Sequence, residues 1–148
     1  MRILSFVFAL ALSLPAHGGE IMVMDPFARV ARPGAPTGAA FMVLHNMSDT
    51  EDRLIGVESP VAEVVQIHTH IEKDGVMKMR RIEGGIPLPG GEMHELARGG
   101  DHVMLMGLTR DLVEGDSFFL TLIFEVAGEV LVEVPVDNAR GQAGAHGH

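Results

Sequence analysis

Phe118-Phe119-Leu120-Thr121-Leu122-Ile123-Phe124 is the stretch that decides the fold class of this 148-residue chain. A strand with one face in water alternates apolar and polar side chains, but this run is apolar at nearly every position. It is also short, and the turn signals Gly115-Asp116 and Gly128 bound it. We therefore expect a central β-strand that is covered on both faces.

Eight other apolar, β-branched segments lie along the chain, and Gly, Pro and Asp residues separate them. The nine predicted strands cover residues 21–24, 39–45, 53–58, 63–71, 76–82, 92–96, 102–108, 117–126 and 129–136. Asp74-Gly75 has the composition of a hairpin turn, whereas Pro87, Pro89 and Gly90-Gly91 indicate a loop. Short strands at this spacing, without an internal repeat or a linker, predict an all-β, single-domain sandwich of two sheets with Greek-key connections.

The two ends of the chain differ from this domain in composition. Met1-Arg2 and the apolar residues 3–14 resemble a signal peptide too short to span a membrane, with cleavage expected before Gly19. We therefore expect an exported, periplasmic protein with no membrane span in its mature form: residues 1–18 are the signal peptide and residues 19–136 the domain. Residues 137–148 are rich in Gly and Ala and are expected to form a flexible tail.

Charge and composition exclude several classes of function. Without residues 1–18 the chain has 10 basic and 20 acidic residues, a formal charge of −10. Such a surface repels nucleic acid and anionic membranes. The chain contains no Tyr, Trp or Cys, so stacking platforms, disulfides and thiol chemistry are not expected, and lipid anchoring has no cysteine to use.

The most distinctive chemistry lies at His68, Met79, His102 and Met104. Thioether sulfur favours Cu(I), and imidazole accepts copper in either oxidation state. Because side chains alternate along a strand, His102 and Met104 share one face, near the rim where the Gly99-Gly100 turn starts their strand. The turn at residues 74–75 brings the strand of His68 beside that of Met79. These residues therefore predict a copper site made of uncharged ligands.

Methionine and histidine also have simpler uses. Methionines at alternate strand positions commonly fill a core, and we expect that role for Met77 and Met106. His45 and His94 are expected at the surface or in hydrogen bonds. Further residues that can contribute to a metal site are His17, Met22, Met24 and His70.

The four ligand candidates resemble the signature of the periplasmic copper chaperone family known as PCuAC. That signature is a His, ten residues, a Met, about twenty-one residues and then His-x-Met; here the two intervals are ten and twenty-two. The one-residue difference falls in a region of loops that tolerate an insertion. Other stretches that match the family are Asp25-Pro26 with Arg29, the 33–37 segment Pro-Gly-Ala-Pro-Thr, Phe41, the 74–79 segment Asp-Gly-Val-Met-Lys-Met, Gly99-Gly100 and the 102–108 segment His-Val-Met-Leu-Met-Gly-Leu.

The resemblance covers about residues 20–136 and carries its own expectations. It implies a cupredoxin-like β-sandwich in which His68, Met79, His102 and Met104 bind Cu(I). It also implies delivery of copper to the copper subunit of cytochrome oxidase, alongside a thioredoxin-like copper protein of the Sco type. A blue-copper electron-transfer site is excluded, because that site needs a cysteine thiolate.

His146 and His148 in the tail form a possible secondary metal site, which we expect to take Cu(II) if it binds metal at all.

Two alternatives to a chaperone also bind copper. A copper storage or tolerance protein would need several ions per chain, and a copper-dependent redox enzyme would have to oxidise its substrate faster than free copper does. A metal hydrolase would require a carboxylate in a recognisable motif, and the sequence has no HExxH or similar signature. An interaction module without metal would form no one-to-one copper adduct.

Overall fold

The computed structural model describes residues 20–140, and all of its regular secondary structure is β-strand. The signal peptide predicted for residues 1–18, including His17, and the tail residues His146 and His148 lie outside the described residues. Within the described part of the chain, no helix is present that could cross a membrane. The prediction of an all-β fold is confirmed.

Ten strands form two antiparallel sheets, and each predicted strand overlaps one of them. The strands are β1 Ile21–Arg29, β2 Thr37–Asn46, β3 Asp52–Glu58, β4 Ala62–Lys73, β5 Val76–Arg81, β6 Ile86–Leu88, β7 Met93–Leu96, β8 His102–Leu108, β9 Ser117–Phe124 and β10 Gly128–Pro135. The larger sheet has the order β1-β2-β8-β4-β5, with β7 also paired to β2, and the smaller sheet has the order β10-β9-β3-β6.

The core lies between the two sheets and is built mainly from side chains at alternate strand positions. Strand β8 directs Val103 and Leu105 into the core, where both are fully buried, and β9 contributes Leu120 and Leu122 in the same way. Burying a side chain of this size stabilises the fold by about 1.5–3 kcal/mol. The same alternation turns His102 and Met104 towards the outer face of the larger sheet.

The prediction that both faces of β9 are covered is wrong. Strand β9 is central, since β10 and β3 pair with it on either side. However, only the face of Phe118, Leu120, Leu122 and Phe124 is buried, and Phe119 on the opposite face is 48% exposed. No second layer covers the outer side of the smaller sheet among the described residues, so the apolar side chains there stay partly in contact with water.

Two departures from the predicted strands have identifiable reasons: one strand is longer than predicted, and one strand was not predicted. Strand β1 continues past Met24 to Arg29 because a bulge absorbs Asp25, whose φ is +51°, and shifts the register before Phe27. Strand β6 falls where a loop was expected. Pro87 is tolerated there because β6 is the edge strand of its sheet.

Two local features hold distant parts of the chain in place. Asp74 and Gly75 both have positive φ, +53° and +78°, as a tight two-residue hairpin turn requires, so the predicted turn between β4 and β5 is confirmed. Asp52 is 3% exposed and accepts hydrogen bonds from the backbone N–H groups of Arg53, Val126 and Ala127. That carboxylate ties the start of β3 to the turn between β9 and β10.

Candidate metal centre

The register of the larger sheet brings the ligand candidates together on its outer face. His68 on β4 lies directly opposite His102 on β8. His70, two positions further along β4, lies opposite Met79 on β5. Directly opposed residues have Cβ atoms about 4.5–5.5 Å apart, so three neighbouring strands place these side chains in one area. Met104 is on the same face of β8 as His102, two residues further along the strand.

The ring of His102 lies between the other aromatic side chains of this face. Its centroid is 6.0 Å from that of His68 and 5.3 Å from that of His70. On its other side the Phe41 ring lies 6.2 Å away, and Phe27 packs 5.2 Å from Phe41. His102 is therefore 3% exposed despite facing away from the core, and its position is fixed by packing.

A cavity of about 490 Å³ opens beside His102. Three of the four candidates line it, namely Met79, His102 and Met104, together with His70; the remaining lining residues are Arg29, Ala31, Thr37, Gly38, Ala39, Phe41, Arg98 and Gly99. His68 is next to His102 but does not line the cavity. The sequence signal for His70 is its spacing of two from His68, which puts both rings on one face of β4.

The hydrogen bond of His102 leaves one of its nitrogens available to a metal. Nδ1 lies 3.0 Å from the carbonyl oxygen of Gly100. A carbonyl oxygen only accepts, so Nδ1 carries the proton and donates it. In the neutral ring the lone pair then belongs to Nε2. A backbone carbonyl that fixes the tautomer in this way is a common partner of a metal-binding histidine.

His68 has the complementary arrangement. Its Nε2 is 3.0 Å from Oε1 of Gln66 and donates to that oxygen, while its Nδ1 is buried and has no hydrogen-bond partner among the described residues. A buried acceptor without a partner costs about 1–3 kcal/mol. A metal ion bound at Nδ1 would remove that cost. Burial, together with the charges of His102 and Arg81, holds the pKa of His68 below its usual 6.5.

The lowered pKa of His68 gives a prediction for the copper-free protein. Its imidazole should titrate with a midpoint below pH 6.5, which NMR of the ring Cε1–H signal measures. Because the unfolded chain binds the proton more readily, stability is unaffected above pH 6.5 and falls as the pH is lowered from 6.5 through the folded midpoint. Arg81→Gln removes one of the positive charges that lower this pKa and should move the midpoint upward. A midpoint at or above 6.5 in the unsubstituted protein contradicts this account.

The other methionine and histidine predictions have mixed outcomes. Met77 and Met106 are not core residues, so that prediction is wrong: Met77 is 58% exposed on the edge strand, and Met106 is half-buried on the outer face of β8. Nε2 of His94 donates a hydrogen bond to Oδ2 of Asp101 at 2.8 Å, as expected of a hydrogen-bonded histidine. His45 is half-buried on β2 opposite Met22, and neither residue lines the cavity.

The donor set at the cavity is uncharged. No Asp or Glu is among the lining residues, and the described chain contains no grouping of three His, Cys, Asp or Glu side chains able to hold a metal without the thioethers. Hydrolytic metal sites usually employ a carboxylate as ligand or general base. Two imidazoles with two thioethers instead match the soft, monovalent Cu(I) ion.

Comparisons with known proteins find sequence relatives that match most of this chain. The family model described as "LpqE-like: Putative lipoprotein LpqE-like" matches residues 21–136. A putative lipoprotein of Leifsonia xyli subsp. xyli, Lxx21020, is 33% identical over 112 residues, which are 76% of this chain and 68% of that protein. An uncharacterized protein of Rickettsia prowazekii is 27% identical over 128 residues, which are 84% of this chain and 70% of that protein.

Two solved structures are similar over most of their length. The copper-bound PCuAC domain from PmoF2 is 32% identical, with a TM-score of 0.67, and the match covers 81% of this chain and 94% of that domain. The Cu(I) form of DR1885 from Deinococcus radiodurans is also 32% identical, with a TM-score of 0.58, covering 90% of this chain and 85% of that one. These likenesses confirm the predicted cupredoxin-like sandwich.

Proposed function

This chain belongs to the LpqE-like family, and from that premise we propose that it is a copper chaperone that binds Cu(I) and passes it to an acceptor. The likeness to PCuAC domains confirms the resemblance predicted from the motif. Two of the similar solved structures were determined with copper bound, which supports copper as the cargo of this chain too.

The observation that carries the proposal is the meeting of imidazole and thioether side chains from β4, β5 and β8 on one face. We propose that His68, Met79, His102 and Met104 hold the ion. The free lone pairs at Nδ1 of His68 and Nε2 of His102 support the two nitrogen ligands. Met79 and Met104 at the cavity support the two sulfur ligands.

This ligand set suits a carrier better than a store or an enzyme. All four ligands are neutral, so a thiolate acceptor binds Cu(I) more strongly and can take it without unfolding the donor. Thioethers cannot be trapped as disulfides in an oxidising compartment. Since no carboxylate is among the lining residues of the described site, we propose no hydrolytic role.

We place the protein in the periplasm as part of this proposal. The printed descriptions of its family and of one relative are "putative lipoprotein", and lipoproteins are a class of exported proteins. The acceptor we propose is the copper subunit of cytochrome oxidase, with a thioredoxin-like protein of the Sco type as a partner. A secondary Cu(II) site at His146 and His148 belongs to the same proposal.

X-ray absorption of the Cu(I)-loaded protein tests the site directly. We expect a first shell of mixed nitrogen and sulfur, and we expect the sulfur contribution to fall in both Met79→Ala and Met104→Ala. Met77→Ala and Met106→Ala are matched controls, because each lies two positions away on the same face of β5 or β8. A shell without sulfur, or equal losses in the controls, contradicts the proposed ligands.

A further inference from the structure

Two arginines share the cavity with the proposed copper ligands. Arg29 ends β1 and lies opposite Ala39 on β2, which in turn lies opposite Met104 on β8. Neighbouring strands are about 4.8 Å apart, so the Arg29 backbone is two strand spacings from that of Met104, with only a small alanine between them. Arg98 comes from the loop between β7 and β8, beside Gly99, and lines the same cavity.

Neither guanidinium has a carboxylate partner in the part of the chain that the structure describes. The ion pairs there are His94 with Asp101, Arg110 with Asp116 and Arg140 with Asp25. Nε of Arg29 is buried and makes no hydrogen bond to the described residues. Burial and the nearby charge of Arg98 both lower the pKa of Arg29, so the two cations repel each other across the cavity.

This arrangement is unusual for a chain with a formal net charge of −9. Carboxylates are abundant, yet none lines this cavity. The proposed copper ligands are uncharged, so a bound Cu(I) adds a third positive charge to the same space. Two unpaired guanidiniums beside a cation form a binding site for an anion, because arginine donates several hydrogen bonds in a fixed fork.

We propose that Arg29 and Arg98 receive a negatively charged group that the incoming copper acceptor carries on or beside its metal-binding atoms. This inference rests on the proposed function and adds the residues that select the acceptor. During exchange a bond forms between the donor atom of the acceptor and Cu(I), while a bond from a thioether or imidazole to copper breaks. Copper stays monovalent and no electron moves. An acceptor thiol releases its proton to solvent as it becomes the thiolate that binds.

The test compares two small copper acceptors that differ in charge. Bathocuproine disulfonate and neocuproine both bind Cu(I) through a phenanthroline nitrogen pair, but only the first is anionic. Stopped-flow absorbance follows each as it takes copper from the loaded, full-length protein. In Arg29→Gln and Arg98→Gln we expect transfer to the disulfonate to slow at least about fivefold, whereas transfer to neocuproine keeps its rate, because electrostatic attraction raises association rates about 10–1,000-fold.

Matched variants separate this role from a general effect of charge or folding. Arg53→Gln removes the same charge from β3 in the smaller sheet and should leave both rates unchanged. Arg29→Lys keeps the charge and should retain most of the rate with the disulfonate. High salt should reduce the wild-type preference for the anionic acceptor. Equal slowing with both acceptors, or slowing in Arg53→Gln, overturns the proposal.

A copper-free measurement keeps the two proposals distinguishable. Methanesulfonate should shift the amide NMR signals of Gly38 and Gly99 in the wild-type protein, and neutral dimethyl sulfone at the same concentration should not. A protein that binds one Cu(I) but shows no shift and no acceptor preference refutes the anion site alone. A protein that shifts with methanesulfonate but binds no Cu(I) refutes the chaperone function, and with it the assigned role of this anion site.

Discussion

Replacing His68 with alanine is expected to weaken Cu(I) binding at least about a hundredfold, whereas replacing His70 should weaken it less than about tenfold. The two rings share one face of β4 and flank His102 at 6.0 and 5.3 Å. Only His68 has a buried nitrogen whose lone pair lacks a partner in the described structure. Changing a residue that merely supports a ligand costs about 10–100-fold in metal affinity, so losing a ligand costs at least as much.

Competition with a chromophoric Cu(I) chelator at pH 7.5 measures both affinities. Gln66→Ala is a useful third variant, because it removes the hydrogen bond to Nε2 of His68 and leaves the imidazole in place. Its affinity should fall between that of the wild type and that of His68→Ala. If His70→Ala loses more affinity than His68→Ala, the fourth ligand is the histidine that lines the cavity, and the assignment of His68 is wrong.

The largest loss of stability is expected from a substitution at Asp52, which lies on β3 in the smaller sheet. Asp52→Ala should lower the free energy of unfolding by about 2–4 kcal/mol, because hydrogen bonds to a charged acceptor contribute about 1.5–3 kcal/mol each and unpaired buried N–H groups are costly. Oδ1 of Asp52 lies 2.7 Å from the Arg53 nitrogen and 2.8 Å from the Val126 nitrogen, and Oδ2 lies 3.0 Å from that of Ala127.

Urea denaturation of the copper-free protein provides the measurement. Asp52→Asn keeps one acceptor oxygen and should lose about half as much stability. The Cu(I) affinity of folded Asp52→Ala should stay within about twofold of the wild type, since Asp52 belongs to the smaller sheet and the metal centre to the larger. A loss below about 1 kcal/mol means that water replaces the carboxylate at these three N–H groups.

Local sequence patterns were sufficient to locate most strands. The turn at Asp74-Gly75 and the start of β8 at His102 follow from residue preferences that act over a few positions. Strand β6 was missed because Pro87 normally argues against a strand, and its tolerance depends on β6 being at a sheet edge. The exposure of Phe119 was missed because an apolar run does not reveal whether a second layer covers it.

The arrangement of the metal centre depends on strand order, which a periodic pattern does not contain. Alternation predicted that His102 and Met104 share a face. It did not predict that β8 lies between β2 and β4, which is what brings Arg29 and Phe41 to one side of His102 and His68 to the other. Arg98 belongs to a loop without a recognisable motif, so nothing in the nearby sequence pointed to its place in the cavity.

Strand β5 is the least firmly held of the three strands that carry the proposed copper ligands. Among residues 20–140, β5 pairs with β4 alone, and all six of its residues are exposed, whereas β4 and β8 each have a neighbouring strand on both sides. Segments with few buried contacts open at a fraction of the free energy of global unfolding. Met79, which we propose as a ligand, is therefore on the strand that we expect to open first. Separation of β5 from β4 would release one proposed sulfur ligand while the proposed ligands on β4 and β8 stay in place.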